Sequence, residues 1–416
     1  MTQRLYYNDP YRRNFDATVA SVEPRDAAPA TAVVVLDCTA FYPTTGGQPF
    51  DTGTLGGFRV VDVVDQDDGT IGHVLDLQLR TQNSQSEAGT IHPEPGARVA
   101  GEIDWNRRFD HMQQHTGQHV LSAAFDRLFN VATVSFHLGA ESATIDLARP
   151  VAASQIAAAE DEANRIVWED RPVRVRYATA EEASALKLRK PPAREGTLRL
   201  IDVEDFDLSA CGGTHVARTG AIGVIATASS EKFKGGHRVE FVCGGRALAR
   251  FRSLRDAVAA SVRMLSVMPG ELPITIERMQ ADAKDQKRAM AAMQGDLAKY
   301  RADELAAAAE AIGPIKLVAR VVEGDASVLK TLASTIAERR SHIAVFASTS
   351  RPSLVVIARA SDVELHAQQL LASLILRFGG RGGGKSDLAQ GGLNGAADQI
   401  IAAARVSITA QHATSS

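Results

Sequence analysis

The stretch NRRFDHMQQHTGQHVLSAAFDRLF, residues 106–129, has apolar residues at helical spacing and predicts a long helix. Three histidines, His111, His115 and His119, recur along it every four residues. Neighbouring pairs share a helix face and can converge on one small cation. The outer two are about 12 Å apart at 1.5 Å rise per residue, so all three cannot ligate one tetrahedral ion. Thr116 follows His115 where a zinc peptidase has glutamate, which disfavours that class of enzyme.

A second group of metal-ligating residue types lies much later in the chain, in ACGGTHV, residues 210–216. Cys211 and His215 bracket a Gly-Gly-Thr turn, and the glycines allow a backbone tight enough for both side chains to face inward. A thiolate with imidazoles is a borderline-soft donor set that suits tetrahedral zinc. Together the two motifs predict a metal site, with zinc ahead of iron and copper.

The composition restricts the class of function. In 416 residues, 46 Lys and Arg against 49 Asp and Glu give a formal net charge of −3, which excludes a uniformly basic nucleic-acid coat but allows a local basic patch. Aromatic residues make up only 5%, which argues against large base-stacking platforms. The scattered cysteines Cys38, Cys211 and Cys243 make no disulfide framework, and no apolar run is long enough to span a membrane. We therefore expect a soluble, cytoplasmic protein.

The hydrophobic pattern predicts an α+β fold in four parts. Alternating runs at 31–37 and 58–65 predict strands of an N-terminal β-barrel-like subdomain. After this subdomain, helical and strand-like segments alternate. A second region of alternating strands and helices begins at about residue 313. The four predicted parts are a β-rich subdomain with a glycine-rich GGQ motif (1–98), a zinc-containing α+β domain (99–250), a helical linker (251–312) and a small C-terminal α/β domain (313–416).

Within the predicted linker, apolar or neutral residues recur at alternating steps of three and four. They are Ile276, Met279, Ala283, Gln286, Met290, Met293, Leu297 and Tyr300. Such a seam is typical of a coiled coil, formed either in a dimer or within the chain. A solvated helical spacer explains the same pattern equally well, so both alternatives stay open.

The segment GGRGGGKS, residues 379–386, formally fits the phosphate-binding pattern G-x-x-x-x-G-K-[ST]. A P-loop must open a helix of several turns, but Gly391 and Gly392 follow too soon after Ser386 for such a helix. We therefore expect a protein that acts without ATP.

Four motifs in the same order resemble the editing domain of alanyl-tRNA synthetases and their free-standing relatives, the AlaX proteins. HTGQHVL with CGGTHV resembles the ligand motifs, and FYPTTGGQPFDTG (41–53) resembles the family's glycine-rich motif. KFKGGHRVEFVCGGRAL resembles the closing strand, and FGGRGGGKSDLAQGG (378–392) resembles the C-terminal DHHA-type domain. The resemblance makes 99–250 the editing domain and 313–416 the DHHA-type domain. With no aminoacylation core upstream, it implies the long, stand-alone form.

The resemblance implies an enzyme, an aminoacyl-tRNA hydrolase that cleaves the carboxylic ester of mischarged alanine tRNA and so protects translation fidelity. Serine is the main expected misattached amino acid, and glycine is a second. An alanine pocket discriminates against such small differences by only about 1–3 kcal/mol, so a second site must hydrolyse the errors. Sparing alanine requires a polar group that pairs with the serine hydroxyl and is left unpaired by a methyl group.

The resemblance also assigns roles to individual residues. The implied zinc ligands are His115, His119, Cys211 and His215. The implied catalytic or substrate-reading residues are Thr116 to orient water, Gln48 to position substrate or water, Thr44 or Thr45 to read the serine hydroxyl, and His137, which alignment places at a catalytic or positioning site. His111 falls outside the ligand set, and we expect it at the surface or facing tRNA. Zinc either orients the substrate or activates a nearby water.

Mischarged alanine tRNA is the expected partner, and local charge must bind it. The basic segment before the CGGTHV turn offers Lys187, Arg189, Lys190, Arg194 and Arg199 as candidate tRNA contacts. The family resemblance further suggests tRNA binding, homodimer formation through the linker and C-terminal domain, or both, with no membrane partner. Two alternatives stay open: a non-catalytic tRNA-binding module with structural zinc, and a zinc hydrolase of small esters.

Overall fold

The computed structural model describes residues 1–24, 31–80, 94–189 and 196–412. It divides into two compact units, Met1–Ala260 and Ser261–Ser416. Within the described ranges, no helix combines the length and the apolar character that crossing a membrane requires. The finer division into four parts stays a prediction.

The first unit begins with a closed β-barrel. The strands of this region are β1 (Gln3–Arg4), β2 (Asn14–Pro24), β3 (Thr31–Leu36), β4 (Cys38–Thr39), β5 (Gly53–Leu55), β6 (Phe58–Asp65), β7 (Ile71–Arg80) and β8 (Arg98–Ile103). The barrel closes in the order β2-β3-β7-β6-β5-β8, while β1 and β4 form a separate parallel pair.

Alternation of side chains along the strands explains the barrel. In β3, Ala32, Val34 and Leu36 are buried and the residues between them are only half-buried. Burying a valine or leucine side chain contributes roughly 1.5–3 kcal/mol, so the pattern selects one face. The barrel that alternation predicted is thereby confirmed.

The rest of the first unit is mixed α and β. Its elements are α1 (Trp105–Phe129), β9 (Thr133–Leu138), β10 (Ala143–Leu147), α2 (Ala153–Trp168), β11 (Val173–Ala178), α3 (Ala180–Ala185), β12 (Leu198–Val203), β13 (Asp207–Ala210), β14 (Ile225–Phe233), β15 (Gly236–Cys243) and α4 (Gly244–Leu265), whose last turns pass into the second unit. They form a four-stranded sheet, β14-β15-β10-β9, and a three-stranded sheet, β11-β12-β13.

Helix α1 runs through the middle of this unit and is the predicted histidine helix. The Asp104 side chain caps it by accepting a hydrogen bond from Arg107 N, and Asn130 ends it in a left-handed conformation. Arg108 ties it to the barrel through a buried ion pair with Asp51. Breaking such a pair costs about 3–5 kcal/mol, because one charge is left buried and unpaired. The helix is therefore fixed against the barrel.

The second unit is a six-stranded sheet covered by helices. Its elements are α5 (Leu272–Ala307), β16 (Glu310–Ile312), β17 (Ile315–Val321), α6 (Ala326–Ala337), β18 (His342–Ala347), β19 (Ser353–Arg359), α7 (Ala367–Phe378), β20 (Gly380–Gly384), β21 (Leu388–Leu393) and α8 (Ala397–His412). The strand order is β16-β17-β18-β19-β21-β20. One face of the sheet packs against α5 and α6 and the other against α7 and α8, which confirms a C-terminal α/β domain.

Two segments that the sequence singled out lie in this unit. Gly380–Gly384 forms the edge strand β20, and the chain continues from Ser386 into another strand rather than the helix of a P-loop. Along α5, the seam residues Met290 and Met293 are exposed. The coiled coil therefore stays a prediction.

Candidate metal centre

Four side chains of the first unit converge on one point. One ligand atom each from His115, His119, Cys211 and His215 lies within 4.8 Å of the others. Cys211 Sγ is 3.4 Å from His115 Nε2 and 3.3 Å from His215 Nε2. The histidines that share a face of α1 thus meet the two residues of the turn after β13.

Glycine makes the close approach of this turn possible. A Cβ at Gly213 would lie 2.2 Å from His115 Cε1, a distance that no side chain allows. The Gly213 amide also donates to Cys211 Sγ over 3.3 Å. The spacing C-G-G-T-H therefore brings a thiolate and an imidazole against the helix without a steric clash.

Each histidine of the cluster is oriented by an oxygen atom at Nδ1. His115 Nδ1 is 2.9 Å from Gln48 Oε1, and His119 Nδ1 is 3.0 Å from Asp207 Oδ2. His215 Nδ1 is 3.2 Å from the hydroxyl of Thr116. Oxygens that accept from Nδ1–H leave the Nε2 lone pair of each neutral ring for a metal ion, as is usual around metal-ligating histidines.

Further hydrogen bonds fix these oxygens as acceptors. The Thr116 hydroxyl donates to Met112 O, so toward His215 it can only accept. The Gln48 amide nitrogen donates to Thr214 Oγ1, while its oxygen accepts from Thr214 N. Gln48 and Thr116, which the sequence singled out as catalytic candidates, therefore contact the ligands in this structure.

The electrostatics suit a metal ion. Burial raises the pKa of Cys211, but its contacts with the imidazoles of His115 and His215 lower it, and overall the pKa lies well below its usual value. Burial lowers the pKa of His215 to about 3. Burial also lowers the pKa of His119, but Asp207 and the Cys211 thiolate raise it to about 9 overall. These shifts favour the thiolate form of Cys211, and a metal ion bound here would have to replace any proton on the ligating nitrogen of His119.

The predicted residue His137 is not brought into the cluster. It lies exposed on β9. Successive strand residues point to opposite faces, and the half-buried Phe136 faces the ligands instead, its ring centroid 5.5 Å from that of His115. Sequence reasoning missed Phe136, because the sequence did not show whether Phe136 or His137 faces the ligands.

Thr44 and Thr45 lie at the glycine-rich loop. Residues 45 to 48 form a tight turn in which Gly46 and Gly47 have φ of 55° and 84°, a conformation that favours glycine. This turn directs the buried Gln48 toward His115, whereas Thr44 is exposed and accepts a hydrogen bond from Phe50 N. The substrate-reading role of the threonines stays a prediction.

His111 is buried, with 2% of its surface exposed, so the expectation of a surface or tRNA-facing position was wrong. It occupies the side of α1 where Asp51, Arg107 and Arg246 contribute charge, and burial lowers its pKa to about 4. Periodicity did not reveal this position, because α1 is buried around nearly its whole circumference.

The basic segment divides into outward and inward residues. Lys187 is exposed, whereas Arg189 pairs with the buried Asp207. Arg199 is buried and donates to the carbonyls of Cys211 and Gly213, so it supports the ligand turn. Lys190 and Arg194 lie outside the described residues. Sequence reasoning also missed Asp207, because in the sequence DLSA of β13 the polar residues Asp207 and Ser209 are the buried ones, contrary to the usual alternation.

Two family models match the chain. The Threonyl and Alanyl tRNA synthetase second additional domain matches residues 198–240, which contain the ligand turn, and the DHHA1 domain matches residues 315–409. Among solved structures, the C-Ala domain from Aquifex aeolicus alanyl-tRNA synthetase matches at 24% identity with a TM-score of 0.23, over 25% of this chain and 97% of that one.

Curated relatives match nearly the whole chain. It is 30% identical over 412 residues to the alanyl-tRNA editing protein AlaX-L of Pyrococcus horikoshii, covering 96% of this chain and 97% of that protein. It is 31% identical to the alanine–tRNA ligase of Pyrococcus abyssi and 34% identical to that of Natronomonas pharaonis, covering 94% of this chain in each case. The chain spans only 42% of the length of these two ligases.

A match to the second additional domain that contains Cys211 and His215 of the cluster, followed by a DHHA1 domain, places the chain in the class of proteins that share accessory domains with alanyl-tRNA synthetase. Within that class, the chain belongs to the AlaX-L family of alanyl-tRNA editing proteins, because its match to the Pyrococcus horikoshii member covers almost all of both chains.

Proposed function

We propose that this protein is a trans-editing hydrolase that removes serine, and also glycine, from mischarged alanine tRNA. The observation that carries the proposal is the cluster of one cysteine and three histidines, in which every histidine Nδ1 is held by an oxygen. Membership of a family of alanyl-tRNA editing proteins supports alanine tRNA as the substrate class. The reaction class is then hydrolysis of a carboxylic ester.

The donor set fits zinc. One thiolate and three imidazoles match the borderline-soft ligands that tetrahedral zinc prefers, and we propose His115, His119, Cys211 and His215 as its ligands. When bound, zinc would supply a positive charge that polarises a substrate oxygen or lowers the pKa of a nearby water. Gln48, Asp207 and Thr116 hold the three imidazoles in the orientation that such a site requires.

The glycine-rich loop supplies the groups that meet the substrate. Gly46 and Gly47 are exposed beside Gln48 and carry no side chain, so the terminal adenosine can approach their backbone. Thr44 or Thr45 supplies the hydroxyl that pairs with the hydroxyl of serine. An alanyl ester leaves that group unpaired, which costs roughly 1–3 kcal/mol if the site excludes water. The exposed Lys187 neutralises a tRNA phosphate.

The test is deacylation of seryl-tRNA(Ala) beside alanyl-tRNA(Ala), with catalytic amounts of zinc-loaded protein. We expect rapid loss of serine, with alanine spared. Equal loss of both would replace the proposal with a general aminoacyl-ester hydrolase. Loss of neither, from protein that still binds tRNA, would leave a binding module with structural zinc.

Replacing Thr44 or Thr45 with valine sharpens the assignment of selectivity. Because valine keeps the volume but removes the hydroxyl, the ratio of seryl to alanyl ester hydrolysis should fall about tenfold in one of the two variants. Zinc content serves as the control and should stay at the wild-type level. An unchanged ratio in both variants would show that neither threonine hydroxyl pairs with the hydroxyl of serine.

A further inference from the structure

One of the three oriented histidines differs from the others in its partner. His115 and His215 are held by a neutral amide and a neutral hydroxyl, whereas His119 is held by the carboxylate of Asp207. A carboxylate is the stronger acceptor for a histidine Nδ1–H, and it increases the basicity of the ring nitrogen that faces a metal ion. The position of the Asp207 carboxylate should therefore affect metal binding by His119 more than the amide and hydroxyl contacts affect binding by His115 and His215.

Asp207 is itself held from three sides. It is 5% exposed and accepts hydrogen bonds from His119, from the Ser209 hydroxyl and from Arg189. Arg189 Nε is 2.7 Å from Oδ1, and Nη2 is 3.3 Å from Oδ2, so the guanidinium contacts both carboxylate oxygens. The backbone N–H of Arg189 also donates to Leu208 O over 3.0 Å. The arginine is thus anchored by its backbone and by its side chain to the strand that carries Asp207.

We propose that Arg189 is a positioning residue for the metal centre: it clamps Asp207, and Asp207 holds His119 in the tautomer and orientation that ligate the metal. This inference rests on the proposed metal site. It assigns Arg189 to the interior, although the residue belongs to a basic segment that by sequence alone favours RNA contact. Lys187, two residues earlier, is exposed and remains a candidate contact to RNA.

The surroundings of Arg189 supply a matched control. Asp207 and Arg189 form part of a groove of about 790 Å³ that also contains Arg174 and Arg176. Those two arginines pair with Glu204 and Asp202 in half-exposed to exposed ion pairs. Such surface pairs contribute about 0–1 kcal/mol. Arg174 therefore shares the groove with Arg189 and also pairs with a carboxylate, but among the described residues its ion pair is with Glu204, which contacts no proposed metal ligand.

The experiment measures zinc affinity by competition with a chromophoric chelator and records the cobalt absorption spectrum of the full-length chain. The variants are Arg189→Met, Asp207→Asn, their double variant and Arg174→Met as the control. Loss of an outer partner of a metal ligand typically weakens metal binding about 10–100-fold. We expect that loss for Arg189→Met and Asp207→Asn, with a shifted cobalt spectrum, and wild-type affinity for Arg174→Met.

The double variant separates positioning from general destabilisation. If Arg189 acts through Asp207, zinc binding by the double variant is no weaker than binding by Asp207→Asn alone. Arg189→Lys, which keeps the charge but loses the bidentate contact, should recover part of the affinity. Additive losses in the double variant would overturn the proposal.

Two further outcomes distinguish this proposal from the proposed function. Wild-type zinc affinity in Arg189→Met, together with weaker and less salt-dependent tRNA binding, would make Arg189 an RNA contact and leave the metal site standing. Failure of the wild-type chain to bind zinc would overturn the metal site and this inference with it. Urea unfolding of each variant without metal shows whether it is folded, and Arg189→Lys, compared with wild type, replaces Arg189→Met if that variant does not fold.

Discussion

Helices α1 and α5 show how differently two long helices can be used. Most residues of α1 are buried, and its polar side chains contact specific partners across the unit, such as Asp51 for Arg108 and Gln48 for His115. Most residues of α5 are exposed, apart from small residues such as Ala302 near its end, which pack beside α6. Helical periodicity is present in both. What differs is that buried histidines and glutamines lie along α1, whereas the buried residues of α5 are Thr275 and three alanines.

The largest effect should come from removing a ligand beside α1. Cys211→Ala or His115→Ala takes one donor from the cluster, so zinc content should fall and deacylation of seryl-tRNA(Ala) should drop by about three orders of magnitude. Zinc content by elemental analysis and the deacylation rate test this. Cys38→Ala, which changes a cysteine outside the cluster, is the control. Full zinc and full activity in either ligand variant would refute the ligand assignment.

A smaller effect should follow from Thr116→Val on the same helix. The variant keeps the shape but removes the oxygen that accepts from His215 Nδ1 and from Val216 N. We expect zinc affinity to fall about 10–100-fold, as for other lost partners of metal ligands. Thr116→Ser keeps the hydroxyl and should bind zinc within about threefold of wild type. Equal affinity of the valine and serine variants would show that the hydroxyl does not orient His215.

Glycine substitutions should change stability in opposite directions in the two helices. A Cβ at Gly117 of α1 would lie 2.3 Å from Cys243 Sγ, whereas a Cβ at Gly295 of α5 would meet nothing within 4 Å. Gly117→Ala should therefore destabilise the fold by about 1–3 kcal/mol. Gly295→Ala should stabilise it by about 0.5–1 kcal/mol, because alanine is the better helix former. Urea unfolding measures the change in unfolding free energy of each variant. If both variants changed it equally and in the same direction, the two helices would not differ in this respect.

The sequence was informative where one local rule determined the structure. Alternation predicted the barrel strands, and the i, i+4 spacing placed His115 and His119 on one face. The sequence did not predict the contacts that depend on how strands pair. Asp207 reaches His119 only because β13 pairs with β12 and turns that residue inward, and Arg189 follows it although its neighbours are basic. Composition alone could not separate Arg189 from the exposed Lys187.

The smallest effect should come from the seam of α5. Met290 and Met293 are 62% and 72% exposed, so Met290→Glu or Met293→Glu should change the unfolding free energy of the single chain by less than about 0.5 kcal/mol. Ala302→Glu is the contrasting variant on the same helix, and it should cost more than about 2 kcal/mol because Ala302 is fully buried. Sedimentation at rising protein concentration completes the test. A lower mass for the methionine variants than for wild type would show that a second copy covers the seam, and α5 would then resemble α1 in being a buried helix, with its partner supplied by another chain.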